Sequence, residues 1–273
     1  MFKINNLTYQ YEKNSLALNN ISMDFSRGDV IGIIGSNGSG KSTLFMNLMG
    51  IIKPKSGEIL FKDKLIKYDK KSLYELRKSV GIVFQDPEKQ IFYSKVYDDI
   101  AFSLRNIGVD EDTIRYKITK ALKAVNGIEF INKPIHFLSY GQKKRVAIAS
   151  VIAMENEIVL LDEPTAGLDP LSTRLIVDII KRLKEDGIKI VISSHDMNLM
   201  YEICDYIYIL NKGSITNHGV VEDVFLDEDK INQAGLESPW LVKIHKNMGL
   251  PLFKEEQDLY KYWKENMISS KIE

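Results

Sequence analysis

A chain of 273 residues with 44% hydrophobic and 27% charged side chains has the composition of an ordinary globular protein large enough to bury a sizeable core, which excludes disorder and coiled coil. Its 37 basic and 37 acidic residues cancel, so no general field draws the surface toward nucleic acid or anionic lipid. The single cysteine, Cys204, excludes an internal disulfide and a cysteine-built zinc cluster, and it suits a reducing compartment as a small buried residue.

No charged segment followed by an apolar stretch opens the chain, so a secretory leader is not expected. The longest apolar runs fall far short of the ~20 residues that span a bilayer, so any attachment to a membrane is expected to go through partners.

In chain order, alternating apolar residues at Phe2, Ile4, Leu7, Tyr9 and Tyr11, and again at Ile21, Met23 and Phe25, predict half-exposed antiparallel strands. Continuous apolar runs at 30–34, 80–84, 158–161, 189–192 and 206–210 predict buried strands, several of them parallel. Residues 98–125 and 139–154 read as helical and predict a lobe inserted between two core strands. The clearest helix is predicted over 169–186. Asp169 caps it, Pro170 takes the first helical position, Gly187 follows the last turn, and Leu171, Leu175, Ile179 and Leu183 supply the apolar face. After Gly219 the chain carries acidic clusters and a last stretch with Tyr260, Trp263 and Met267 at helical spacing, which predicts a small appended unit. Strands alternating with helices around phosphate chemistry place the chain in the α/β class with a layered core.

Gly35, Ser36, Asn37, Gly38, Ser39, Gly40, Lys41, Ser42 and Thr43 match the complete phosphate-loop pattern, after an apolar strand and before a helix-compatible run. Glycines there let successive backbone N–H groups turn toward phosphate oxygens, Lys41 reaches the terminal phosphates, and the Ser42 hydroxyl can ligate magnesium. A second apolar strand ends in Asp162 and Glu163. Asp162 is expected to hold magnesium through water and Glu163 to polarise the attacking water, since phosphoryl transfer needs positioning and charge stabilisation above all. These residues call for ATP and Mg2+ as ligands.

The segment Leu138-Ser139-Tyr140-Gly141-Gln142 resembles the signature motif of ATP-binding-cassette (ABC) transporter ATPase subunits. Ser139 followed by Gln142 is also a capping box, and a helix start so capped is a ready anion site. Tyr140 stands where that family usually has glycine, while Ser139 and Gly141 remain. The resemblance implies that Ser139, Gly141 and Gln142 meet the γ-phosphate of ATP held by a second subunit, in a head-to-tail pair. It also implies that Gln85 senses magnesium and γ-phosphate, that the loop Ala166-Gly167-Leu168-Asp169 crosses the dimer interface, that His195 contacts γ-phosphate, and that Tyr11 stacks on adenine.

The likeness covers residues 1–219. It implies a phosphate-loop nucleotide-binding domain over 1–218, built from a RecA-like core, an N-terminal antiparallel β-subdomain and an inserted α-helical subdomain over roughly 86–155. Residues 219–273 would form an extension that pairs two subunits or covers its own core. The segment Gln85-Asp-Pro-Glu-Lys-Gln90-Ile-Phe92, the run Lys143-Lys144-Arg145, residues 162–170 and the tail from Gly235 to Leu252 look like the energy-coupling-factor group, and within it the cobalt or nickel importers. Such a subunit works at the cytoplasmic face of the membrane with a transmembrane scaffold and a substrate-binding membrane subunit. In that group residues 86–97 help to receive the scaffold, with Ile91, Phe92 and Tyr93 either lining the groove or packing inside the helical lobe. A shared ATPase of a vitamin-uptake module is the alternative. A soluble cassette acting on DNA or ribosomes fits less well: residues 43–138 hold no long coiled coil and the chain has one cassette. His136, His195, His218 and His245 are scattered without metal-site spacing, and the resemblance implies that the cargo lies outside an ATPase subunit.

Overall fold

The structure, a computed structural model, describes residues 1–11 and 15–267. The chain opens with β1 (Phe2–Gln10) and β2 (Leu16–Asp24), enters β3 (Val30–Ile34) and α1 (Lys41–Leu48), then passes through β4 (Ser56–Phe61), β5 (Lys64–Leu65), α2 (Lys70–Ser79) and β6 (Val80–Val83). Helices α3 (Val96–Asn106), α4 (Glu111–Ala124) and α5 (Tyr140–Ala153) precede β7 (Ile158–Asp162), α6 (Pro170–Glu185), β8 (Lys189–Ser194), α7 (Met197–Ile203), β9 (Tyr206–Asn211) and β10 (Ser214–Val220). Helices α8 (Val221–Leu226), α9 (Glu228–Gln233), α10 (Trp240–Met248) and α11 (Glu256–Met267) follow.

Two sheets result: an antiparallel layer ordered β2-β1-β4-β5, and a six-stranded sheet ordered β10-β9-β3-β8-β7-β6. In the larger sheet β9, β3, β8, β7 and β6 run parallel, and β10 joins antiparallel at the edge. Its central strands are buried on both faces, which is why they read as continuous apolar runs. Alternation along them divides two cores. Val30, Ile34, Val159, Leu161, Ile190 and Ile192 belong to the core shared with α3 to α11, whereas Ile31, Ile33, Ile158, Leu160 and Val191 belong to the core shared with the antiparallel layer and α1. The fold is therefore the α/β arrangement that the sequence predicts, with a β-layer at the start and an inserted helical lobe.

Three expectations change in detail. The helical stretch at 98–125 is two helices, because Gly108 adopts φ +80° and Asp110 starts the second helix by accepting a hydrogen bond from the Thr113 N–H. Helix α6 has the expected Asp169 cap and leading proline, yet its buried stripe is Ile176, Val177, Ile179, Ile180 and Leu183. Leu171 is 80% exposed, in a first turn that has no buried residue. In the tail, Tyr260 and Trp263 are exposed while Leu259 is buried; the side chain of Met267 lies outside the described residues.

The appended segment is not a detached body. Val221, Val224, Phe225, Ile231, Leu241 and Val242 share one buried cluster with Ile207, Ile209 and Tyr201 of the main domain. Cys204 belongs to the same cluster, its Sγ 4.0 Å from the Met200 Sδ, and burial pushes its thiol pKa far up. Next to it, at the start of β3, Asp205 Oδ2 accepts the backbone N–H groups of Asp29 and Val30, each at 2.9 Å, while Oδ1 accepts from Lys184 at 2.7 Å. That carboxylate ties the start of β3 to α6.

Ending the chain at Gly219 uncovers several apolar side chains worth about 1.5–3 kcal/mol each, against a total stability of about 5–15 kcal/mol. The truncated protein is expected not to fold stably. Solubility and thermal unfolding check this; a soluble fragment melting at the full-length temperature would contradict it.

Candidate functional site

The register of the parallel sheet brings the loops together. Ile34 pairs with Ser194, and Asp162 with Ser193, so the loops after β3, β7 and β8 leave the sheet side by side at its carboxyl edge. The loop after β3 can exist only with glycine at two points. A Cβ on Gly35 would lie 2.1 Å from the Leu210 carbonyl oxygen, and one on Gly40, at φ +113°, would lie 2.5 Å from that of Ala17. Gly40 caps α1 without a side-chain hydrogen bond and no acid occupies the first turn, so the helix start offers free N–H groups and an uncompensated positive dipole end.

Lys41 opens α1 and turns inward, 7% exposed, its Nζ donating to the carbonyls of Gly35 at 2.8 Å and Ser36 at 3.3 Å. The Ser39 Oγ is buried without a hydrogen-bond partner. An unsatisfied buried hydroxyl, a lysine ammonium and a row of loop N–H groups form a donor set that suits the oxygens of a polyphosphate. The loop opens into a cleft of about 600 Å3 lined by Asn37, Gly38, Ser39, Gly40, Lys41, Ser42 and Thr43, by Tyr11, Leu16 and Ala17 on one side, and by Gln85 and Glu163 on the other. The Tyr11 hydroxyl shares a hydrogen bond with Thr43 Oγ1 at 3.2 Å, and its ring meets Tyr9 edge-on.

Asp162 and Glu163 emerge at the end of β7, 4% and 5% exposed. Ser193 of β8 organises both: its Oγ donates to Asp162 Oδ1 at 2.6 Å, and its Oγ and carbonyl oxygen accept the Glu163 N–H at 3.0 and 3.1 Å. Glu163 stands in the left-handed region at φ +47°. Its carboxylate lies between two cationic or polar groups, with Oε1 3.6 Å from Lys41 Nζ and Oε2 2.8 Å from the ring Nδ1 of His195, whose backbone N–H also donates to Oε2 at 3.3 Å. The oxygen donors of Ser42, Gln85 and Asp162 are of the hard type that magnesium takes, without competing sulfur ligands.

The structure gathers Tyr11, the phosphate loop, Gln85, Asp162, Glu163 and His195 at one carboxyl edge. Ser139, Gly141, Gln142 and Asp169 do not line that cleft. Ser139 and Gln142 instead form the complete capping box of α5, and Asp169 caps α6 through the Ser172 N–H and hydroxyl, hydrogen bonds that hold its pKa below the usual carboxylate range.

Sequence reading passed over Lys144. Within the Lys143-Lys144-Arg145 run it is fully buried, and its Nζ donates to the Glu163 carbonyl at 2.8 Å. Desolvation lowers its pKa to about 8, although the charges of Asp162, Glu163 and Asp86 favour the protonated form. The signal was present: Lys144, Ile148 and Val151 are spaced along one buried face of α5. Gly35→Ala is expected to leave secondary structure intact and abolish nucleotide binding, because the added carbon meets backbone that cannot yield. Titration with a fluorescent nucleotide, alongside circular dichroism, checks this.

Comparison with known proteins agrees with this geometry. The profile of the family described as ABC transporter matches residues 18–166. A cobalt import ATP-binding protein CbiO of Salmonella typhimurium is 46% identical over 260 residues, spanning 95% of this chain and 96% of that protein. An energy-coupling factor transporter ATP-binding protein EcfA2 of Clostridium perfringens is 45% identical over 241 residues, spanning 88% of this chain and 84% of the relative. Among solved structures, cbiO1 of Clostridium perfringens, described as part of the ABC transporter complex cbiONQ, superposes with a TM-score of 0.76 at 42% identity, covering 90% of this chain and 98% of that one. The family profile and these relatives show that the chain belongs to the ABC transporter family as one of its ATP-binding ATPase subunits.

Proposed function

We propose that this subunit is the ATP-hydrolysing motor of an energy-coupling-factor importer for cobalt or nickel. The observation that carries the chemistry is the Glu163 carboxylate, held between Lys41 and His195 beside the phosphate loop. The metal cargo rests on the 46% identity with the cobalt import protein along nearly the whole chain.

In this reading Tyr11 stacks on adenine and the N–H groups of residues 35–43 wrap the phosphates, with Lys41 exchanging its loop carbonyls for phosphate oxygens. Ser42, Asp162 and Gln85 would hold Mg2+, which when bound neutralises charge on the terminal phosphates. Glu163 orients water toward the γ-phosphate, and His195 steadies that carboxylate through Oε2. Placement of this kind supplies most of the catalysis in phosphoryl transfer.

The cleft contains no signature residue, so it is half of a site. Ser139, Gly141 and Gln142 of a second subunit complete it in a head-to-tail pair, with Asp169 near the joint. Binding of two ATP molecules closes the pair, and hydrolysis reopens it. Movement passes to a transmembrane scaffold that accompanies a substrate-binding membrane subunit at the cytoplasmic face of the membrane; among the described residues no helix is long and apolar enough to cross a membrane. The scaffold docks beside Gln85, where Phe92 is 80% exposed and Tyr93 partly so, whereas Ile91 packs against the core. Residues 1–218 form the ATPase domain with the helical subdomain over 86–155, and residues 219–273 are its extension.

Glu163→Gln is expected to keep ATP binding, cut turnover by about 100-fold or more, and accumulate a closed dimer seen by size-exclusion chromatography. An unchanged ATPase rate would remove Glu163 from this role. Lys41→Ala is expected to weaken ATP binding about 10- to 100-fold, the equivalent of one hydrogen bond to a charged group; normal affinity by calorimetry would contradict the phosphate-loop assignment. Co-purification from membranes followed by metal-uptake assays tests the cargo, and recovery of a vitamin-binding membrane subunit would overturn the metal reading.

A further inference from the structure

Glu163 must hold its carboxylate in place from an unfavourable backbone. At φ +47° a residue with a β-carbon costs on the order of 1–3 kcal/mol unless its surroundings fix it there. Its N–H is fixed by Ser193. Its carbonyl oxygen accepts from the Ala166 N–H at 3.2 Å and from the Lys144 ammonium at 2.8 Å. Of these the ammonium bond is the strong one, being charge-assisted and shielded from water.

Lys144 is costly to keep. It is fully buried, and a buried ammonium is retained only where hydrogen bonds and opposite charge compensate its desolvation. Ile148, at the same position one turn on, is an apolar side chain of the kind that would suit the site if only packing were required. Lys144 does not line the cleft. Its place is the start of the second turn of α5, the helix that Ser139 caps. The neighbouring Tyr140 lies with its ring 5.9 Å from the Lys144 ammonium and donates its hydroxyl to the Gln85 carbonyl at 3.1 Å. Lys143 pairs with Glu88. One helical turn thus grips the segment after β6 and the end of β7 together.

We propose that Lys144 is a positioning residue for Glu163: its bond to the Glu163 carbonyl fixes the left-handed turn that aims the carboxylate between Lys41 and His195, and makes that aim depend on the stance of the signature helix. The proposal rests on the reading of Glu163 as the residue that orients water. Its consequence is a link between two half-sites. When the signature helix engages nucleotide on the partner subunit, the displacement reaches the carboxylate of its own subunit through Lys144.

The test is steady-state ATP hydrolysis by the full chain in its transporter complex, with ADP affinity measured in parallel on K144M, K144R and K144Q. K144M is expected to lower kcat by about tenfold or more, within the range that a misplacement of about 1 Å produces, while KM and ADP affinity stay within about twofold of wild type. K144R, which retains a charged donor, is expected to recover most of the rate. A wild-type kcat in K144M overturns the proposal, as does a fall in ADP affinity that matches the fall in kcat. If K144M does not bind ADP, K144Q decides: intact ADP binding with kcat lowered about threefold or more supports the proposal, and any other result overturns it. E163Q serves as the control. If E163Q still turns over, the reading of Glu163 fails whatever Lys144 does; an inert E163Q beside a fully active K144M sinks this proposal alone.

Discussion

The parallel pairing of β3, β8 and β7 is the constraint on which the rest depends. Parallel strands align their carboxyl ends, and the observed register sets Ile34 beside Ser194 and Ser193 beside Asp162. Residues 160 and 31 positions apart in the chain thereby become neighbours without any long-range design beyond strand pairing. Ser193 turns that adjacency into geometry, since one hydroxyl serves the Asp162 carboxylate and the Glu163 amide together. The surrounding layers keep the strands in this register: apolar residues alternate between two cores, and a one-residue slip of any central strand would exchange the two faces.

Much of this was legible in the sequence because it is local. A phosphate loop needs contiguous glycines and a lysine, a capping box needs Ser139 and Gln142 three apart, and a buried parallel strand needs an unbroken apolar run. What escaped depends on packing across elements. The helical spacing of Lys144 with Ile148 and Val151 puts it on a buried face, but what its ammonium meets there is decided only by the contact between α5 and the end of β7. The Glu163–His195 pair needs the β7/β8 register. Leu171 kept helical spacing with the core face but lies one turn too early to reach it. The break at Gly108 was visible in principle, since glycine followed by Asp110 is a stop and a start together.

The helical lobe and the tail both pack into the apolar cluster of the sheet, and the lobe adds polar contacts at the strand ends. The lobe, α3 to α5, enters between β6 and β7 and so touches the sheet at the two strands that carry Gln85 and Glu163. Its contacts with those strand ends are polar and specific: the Tyr140 hydroxyl to the Gln85 carbonyl, Lys143 to Glu88, Lys144 to the Glu163 carbonyl. Contacts of that sort have a defined reach and are lost or gained by small rigid shifts. The tail is joined by apolar burial, through Phe225, Ile231, Leu241 and Val242, and burial of that kind tolerates little sliding before it is lost.

The enclosure of Cys204 has a practical side. The residue is 1% exposed, its sulfur sits against Met200, and burial holds it in the unreactive thiol form. The folded subunit therefore presents a chemically silent background to maleimide and spin-label reagents. A cysteine introduced at Phe92 or Phe137, both well exposed, would carry the only reporter on the surface. Distances across a working assembly could then be followed by fluorescence or electron resonance without first removing the native thiol.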